Sequence, residues 1–459
     1  MDDGAHDPNR TPTAKLCEAI VASRAEPLGE ATRAAALPLV LDAIAVAAAG
    51  SGEEAVSILV EHHLEQGGTA NASLIGRAAR LPTVAAAEVN GAAMHVLDFE
   101  PMWSPANHAL SSTLPVALAI GERVGAAGAD VLAAMVAGIE VEGLLRQASG
   151  QFEAKALRFH PPGLVGPLGA AVTAAHLLGL DAVRLASALG IAASRSGGLM
   201  ANVGTMTKSL HCGHAAAAGT TAALLAARGF GANTDVLGAP GGLIDAFFPE
   251  FDPAVLDQYG PPYRVVDPGY AVKLYPSQYG THFGIEAALR LRRRIVPGRT
   301  VGAARLIVPE MAYVDRPLPR SGLDGKFSFQ YTVAAALVHG RVDLDTFTDA
   351  ALAHPGVRSL MGAIELVTAA DVPARFEEMW VSLEVVLDDG STLAERVGEL
   401  PGRWRFPPPA ELHEAKVRHA LARVGIAPQA VDAVLDGCRR FDELDAGEIS
   451  RLLGLTAPV

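Results

Sequence analysis

The stretch Arg158-Phe159-His160-Pro161-Pro162-Gly163-Leu164-Val165-Gly166-Pro167-Leu168-Gly169-Ala170-Ala171 opens with an arginine, an aromatic ring and a histidine, stiffens into two prolines, and then runs out in glycine and alanine. The prolines fix the backbone and bias His160 toward an extended conformation, which places this imidazole at a helix N-terminus. Glycines downstream let a neighbouring helix approach closely. A helix N-terminus offers free N–H groups and the positive end of the dipole, where carboxylates bind, and a His or Arg beside it adds a donor. The alternative is a histidine held in a loop for packing alone.

The same texture extends outward. From about Lys15 to Arg228, Ala-rich segments at 31–49, 53–66, 82–97, 113–126, 128–148, 167–178, 182–194 and 213–228 predict helices, punctuated by Gly, Pro or Asn at their ends. Apolar residues take up most of each circumference, the pattern of helices packed on several sides. Half of the 459 residues are hydrophobic and only 5% aromatic, so the core must be built from Ala, Leu and Val. The fold class is therefore mainly α. After Gly260-Pro-Pro-Tyr263 the pattern changes: Ala304–Val308 reads as a strand, and 380–387, the turn Asp388-Asp389-Gly390 and 391–397 alternate with period two as a hairpin. Helical segments near 284–294, 328–338 and 345–353 surround it, which predicts a smaller α+β domain over 270–400. The last sixty residues return to helix at 413–424, 428–438 and 446–453 and are expected to pack back onto the first part.

A formal charge of −13, with no basic run beyond Arg290-Leu-Arg-Arg-Arg294 at a helix end, argues against nucleic acid. Cys17, Cys212 and Cys438 form neither a disulfide framework nor a zinc spacing, which suits a reducing compartment. The opening MDDGAHDPNR lacks an apolar leader, and the run 210–228 is too rich in Gly, Ala and His for a membrane span, so a soluble cytoplasmic protein is expected. Six lysines stand against thirty-one arginines. Each lysine in an apolar setting therefore draws notice.

Four clusters carry chemistry. In His95-Val-Leu-Asp98-Phe-Glu-Pro-Met-Trp-Ser-Pro-Ala-Asn-His108 a helix delivers Asp98 into a loop ending at His108, and an Asp with a His on one tight loop suits a general acid/base. A capping Asp with a surface His is the plainer alternative. His160 is the second. The third is Met200-Ala-Asn202 through Lys208-Ser-Leu-His211-Cys-Gly-His214, where Lys208 on a loop among small residues implies an anionic ligand. His211 and His214 lack the acidic or cysteine partners of a zinc site. The fourth, Lys273-Leu-Tyr-Pro-Ser-Gln-Tyr-Gly-Thr-His282, lies at the junction with the smaller domain. There is no complete GxGxxG after a strand, no Walker loop and no GxSxG elbow. What remains is a histidine-rich, cationic pocket with one carboxylate, suited to a small polycarboxylate and to proton chemistry.

In this order the clusters resemble the MmgE/PrpD family of lyases, which contains 2-methylcitrate dehydratase and cis-aconitate decarboxylase. The likeness starts at Val40–Gly50 and is strongest in His95-Val-Leu-Asp98-Phe, Arg158-Phe-His-Pro-Pro162, Met200-Ala-Asn202, Thr207-Lys208-Ser-Leu-His211 and Thr281-His282; Tyr313-Val-Asp-Arg-Pro-Leu-Pro319, Phe327-Ser-Phe-Gln-Tyr331 and Gly402-Arg-Trp-Arg405 resemble the cis-aconitate decarboxylase type. The resemblance implies a helical large domain from both chain ends (1–269 and 401–459), an α+β lid domain (270–400), a homodimer, and a site at their junction without metal or organic cofactor. It implies catalytic roles for Asp98, His108, His160, Lys208 and His282, with Lys208, His160 and His282 clamping carboxylates and His108, helped by Asp98, moving the proton. Met102, Asn202, Lys273 and Tyr313 would bind substrate.

One departure stands out. Where the decarboxylase pattern resembles Asp-Phe-Asp-Asp-Thr-Trp, this chain has Asp98-Phe-Glu-Pro-Met102-Trp103. Met102 cannot donate the hydrogen bond of a threonine. Losing a donor to a charged acceptor costs roughly 1.5–3 kcal/mol, enough to shift substrate preference by about tenfold or more. That favours a substrate with an alkyl group, or one carboxylate fewer, at this point. Decarboxylation of the cis-aconitate type is the first expectation, dehydration of a 2-methylcitrate-like acid the second and epimerisation of a related dicarboxylate a third; a non-catalytic carboxylate binder is the alternative of another class.

Overall fold

The computed structural model describes residues 11–153 and 156–457. The stretch MDDGAHDPNR lies outside them. The chain opens with helices α1 (Pro12–Ser23), α2 (Glu30–Gly50) and α3 (Glu54–Gln66), a minimal strand pair β1 (Ala72–Ser73) and β2 (Arg80–Leu81), and then α4 (Thr83–Val96), α5 (Leu110–Val124), α6 (Gly128–Ala148), α7 (Pro161–Leu177), α8 (Ala182–Ala193), α9 (Thr207–Ala227) and the short α10 (Leu243–Phe247). There follow α11 (Tyr279–Arg294), β3 (Val301–Val308), α12 (Gly322–Gly325), α13 (Phe329–His339), α14 (Asp349–Leu352), α15 (Pro355–Gly362), β4 (Ile364–Thr368), β5 (Val381–Leu387) and β6 (Thr392–Val397). Helices α16 (Ala410–Arg423), α17 (Pro428–Arg439) and α18 (Ala446–Gly454) close the chain. The protein is mainly α.

Helices α4, α5, α6, α7 and α9 pack on one another, and small residues set the spacing. A methyl group on Gly213 of α9 would lie 2.4 Å from the Glu88 carbonyl oxygen of α4, and one on Gly219 would lie 2.4 Å from Ala170 Cβ of α7. These helices therefore meet almost backbone to backbone, which is why alanine and glycine dominate their sequences. Helix α2 is long and apolar enough to cross a bilayer, yet here it is covered by α4, α16 and α17 and carries the buried Asp42, which accepts hydrogen bonds from Lys416 and His413.

The four-stranded sheet has the order β4-β3-β5-β6, with β3 parallel to β4 and antiparallel to β5. The expected hairpin is β5–β6, with Leu383 opposite Glu395. Val381, Leu383, Val385 and Leu387 are buried on alternate positions, and α11 packs across β5 and β6. Buried apolar side chains form two clusters. One gathers residues from Leu16 to Val265 with Leu344 and the last three helices; the other gathers residues from Ala271 to Trp404 with Met102 and Val203.

Two local expectations are corrected, and one strand was not foreseen. Helix α9 starts at Thr207, so Lys208 lies in its first turn and not in a loop; the polar run Thr-Lys-Ser-Leu-His masks the helical period there. The helix expected over 345–353 is split, because Thr348 turns extended and caps α14 by accepting the Ala351 N–H. Strand β4 carries no alternation strong enough to mark it, and its pairing with β3 comes from a distant part of the chain.

Candidate active site

The turn between α4 and α5 is the centre of the site. After Leu97 the chain reverses at Asp98, whose φ of 51° lies in the left-handed region that Asp tolerates better than most residues. Four of the six lysines converge on this turn, all buried. Lys273 donates to the Asp98 carboxylate and, at 3.1 Å, to its carbonyl; Lys208 lies 3.6 Å from Asp98 Oδ2. Lys326 donates to the carbonyls of Leu97 and Pro276, both at 2.9 Å, and Lys416 to that of Phe99 at 2.8 Å. A buried ammonium without an oxygen partner would cost several kcal/mol, so these contacts hold the turn firmly.

An imidazole array flanks the turn. The Lys208 ammonium donates to His95 Nε2 at 2.7 Å, and His95 Nδ1–H donates to Glu100. Glu100, fully buried, also accepts the Ser111 hydroxyl at 3.0 Å and lies 2.9 Å from His108 Nδ1, a close contact without hydrogen-bond alignment. His108 Nε2 stands 3.9 Å from Asp98 Oδ1. His160 caps α7 directly before Pro161, its N–H donating to the Gly198 carbonyl at 2.8 Å, with its Nδ1 3.2 Å from that of His211. A methyl on Gly163 would sit 2.7 Å from the Gly197 carbonyl, so the glycine lets this backbone come in and fix the His160 ring.

These groups face a cavity of about 60 Å³ lined by Asp98, Met102, His108, His160, Lys208, Lys273, Gln278 and Tyr313, with an apolar side formed by Ala106, Leu157, Met200, Val203, Phe327 and Phe376. The expected residues Asp98, His108, His160, Lys208, Met102, Lys273 and Tyr313 thus meet. His282 and Asn202 do not line the cavity. The His282 ring is buried behind Tyr275 and Tyr279 and donates from Nε2 to the Ser277 carbonyl at 3.3 Å, so it supports the segment that carries Lys273 and Gln278. Asn202 follows Met200 in a 3₁₀ turn and only Met200 reaches the wall. Glu100, His95 and Gln278 were overlooked in the sequence. Gln278 donates to Tyr313 Oη at 2.6 Å, leaving the phenol proton free to point at a ligand.

Burial opposes ionisation of Asp98, but the ammonium groups of Lys208 and Lys273 outweigh it and hold the carboxyl well below its ordinary range. Burial, reinforced by Lys208, drives His160 well below the usual imidazole value and His95 down to about 3; burial likewise lowers His108 against the pull of Glu100. The imidazoles are therefore neutral at pH 7, which corrects the picture of a cationic histidine pocket: the positive charge comes from lysine. His95, Asp98, Glu100 and His108 bring metal-type donors within 4.8 Å of one another. Yet Lys208 already contacts His95 and Lys273 already contacts Asp98, so a divalent cation would enter against two ammonium groups. The donor set fits an internally neutralised network better than a metal.

Comparison with known proteins shows the family. Residues 14–256 match the MmgE/PrpD N-terminal domain and residues 275–439 the MmgE/PrpD C-terminal domain. The cis-aconitate decarboxylase of Mus musculus is 32% identical over 429 residues, covering 90% of this chain and 88% of that protein. The Homo sapiens protein of the same name is 34% identical over 391 residues, covering 83% and 81%. A cis-aconitate decarboxylase of Aspergillus terreus is 26% identical over 374 residues, 74% of either chain. With both halves matched and relatives aligned along most of its length, the chain belongs to the MmgE/PrpD family and is a lyase.

Proposed function

We propose that this lyase decarboxylates a small polycarboxylate of the cis-aconitate type without a cofactor. The observation that carries the reading is the convergence of Asp98, His108, His160, Lys208 and Lys273 on one cavity. Lys208, Lys273 and the free phenol proton of Tyr313 grip the carboxylates, and His160 at the start of α7 adds a donor. The bond to one carboxylate carbon breaks, carbon dioxide leaves, the electron pair stays as a dienolate facing the ammonium groups, and His108 delivers a proton to carbon. The relatives' names support the same choice of acid. A second reading, dehydration of an alkylated citrate, is favoured by Met102, whose thioether continues the apolar wall of Met200 and Val203. Incubation with cis-aconitate or 2-methylcitrate, followed by NMR, decides: an itaconate-type product supports the first reading, an unsaturated methylated acid the second, and an unchanged acid that raises the melting temperature a mere binder. A homodimer in the cytoplasm completes the proposal, and sedimentation tests the dimer.

Charge counting gives a pH prediction. Lys208 and Lys273 balance Asp98 and Glu100, Lys416 is matched by Asp42, the imidazoles are neutral, and burial brings Lys326, hydrogen-bonded to carbonyls, down to about 7, so a polyanion enters a site with little spare positive charge. His108, His160 and Lys326 are the groups able to supply it. Their values, depressed in the free enzyme, rise beside bound carboxylates, so binding takes up protons and affinity falls as pH rises through the neutral range. Titration calorimetry with propane-1,2,3-tricarboxylate, a saturated analogue, in two buffers of different ionisation enthalpy is expected to show net uptake at pH 7. Equal heats in both buffers would contradict it.

A further inference from the structure

The chamber is small for its task. At about 60 Å³ it holds a few waters, less than a six-carbon acid fills. Next to it lies a second cavity of about 300 Å³, and Tyr279 and Phe376 belong to the walls of both. Three rings make the partition. Phe376 lies parallel to Trp404, 9° between planes and 6.4 Å between centroids, and Tyr279 stands edge-on to both, at 5.4 Å from Phe376 and 5.1 Å from Trp404.

The three are not equally anchored. Tyr279 opens α11 and is buried, and so is Trp404. Phe376 is half-buried on the connection from β4 to β5, which has neither helix nor strand, and its neighbour Arg375 rests over the Phe152 ring at 4.7 Å. Tyr279 Oη, Trp404 Nε1 and Arg375 Nε, on residues that line the outer cavity, are buried without a hydrogen-bond partner among the described residues. Native proteins rarely leave such donors idle. The arginines of this slot also meet carboxylates, Arg375 with Glu377 at 3.5 Å, Arg403 with Glu399 at 2.8 Å and Arg405 with Asp267 at 2.7 Å, but one such contact does not use up the five N–H groups of a guanidinium. An anion in this slot therefore meets the Arg375 guanidinium together with the unpaired donors.

We propose that the aromatic slot is an entry site, where Arg375, with Tyr279 Oη and Trp404 Nε1 beside it, donates to one carboxylate of the incoming acid, and that Phe376 swings off the Trp404 ring to pass it into the chamber. The nature of the acid rests on the lyase reading above; the moving ring does not.

Carbethoxylation of the full-length protein by diethyl pyrocarbonate, followed residue by residue by mass spectrometry, tests it. His108 and His160 report on the chamber, and the exposed His62 is the internal reference. Phe376→Ala is expected to raise the rates at His108 and His160 about tenfold relative to His62, by shifting the wall toward its open state, and Phe376→Trp to lower them. Propane-1,2,3-tricarboxylate is expected to protect both histidines in the wild type, and Tyr279→Phe to raise the concentration needed. Rates indifferent to both Phe376 variants overturn the gate, and protection unchanged in Tyr279→Phe overturns the entry site. If the tricarboxylate gives no protection while the rates still follow Phe376, the choice of acid falls and the gate stands.

Discussion

Lys208→Met is expected to lower kcat/KM for cis-aconitate by about 10²–10³-fold, the loss that follows removal of one preorganised charge from a buried site. Methionine keeps the length and apolar stem of the side chain, so packing over the Phe327 ring survives while the ammonium does not. Three things go at once: the donor to His95 Nε2, one of the two cations that keep Asp98 ionised, and the charge that meets the substrate. Because the contact with a carboxylate already exists in the bound ground state, much of the loss should appear in KM. Lys208→Arg is not expected to restore activity, since a planar fork needs acceptors on two edges and the neighbours here are an imidazole, a carboxylate and an aromatic ring. Steady-state kinetics with a melting curve for each variant measures this; a loss under tenfold in a folded Lys208→Met protein would remove Lys208 from the site.

His108→Ala is expected to lower kcat by about 10²–10⁴-fold and to leave KM within a few-fold, the pattern of a lost proton carrier. His108 lines the cavity, its Nε2 faces Asp98, and its other nitrogen lies against Glu100, so the ring is held from behind and free in front. Burial keeps it neutral in the free enzyme, ready to gain a proton when carboxylates arrive and to pass it to carbon. A variant that turns over normally once saturated but binds weakly would make His108 a carboxylate ligand and move the proton to His160.

Much of this was visible in the primary structure for physical reasons. Alanine and glycine runs announced helices packed nearly backbone to backbone, and the double proline placed His160 at the head of α7. The scarcity of lysine made Lys208 and Lys273 conspicuous, and both reach the cavity. Other parts were hidden. His95 lies inside an Ala-rich helix, where a buried ring reads as packing until Lys208, more than a hundred residues on, is seen to donate to it. Glu100 resembled a loop carboxylate, because only the fold turns two imidazoles and Ser111 toward it. His282 matched a motif, yet the turn of α11 directs it behind Tyr279 and away from the chamber. Phe376 belongs to no pattern at all; its position follows from how the connection between β4 and β5 crosses the rim.

The four lysines around the turn after α4 come from the start of α9, from the two sides of β3 and from α16, stretches separated by up to two hundred residues of chain. No fragment that ends before α16 can complete the arrangement, and a ribosome must release nearly the whole polypeptide before Lys416 can hold the Phe99 carbonyl. Activity should consequently emerge in one step at the end of synthesis, and truncated products of this gene should be inert.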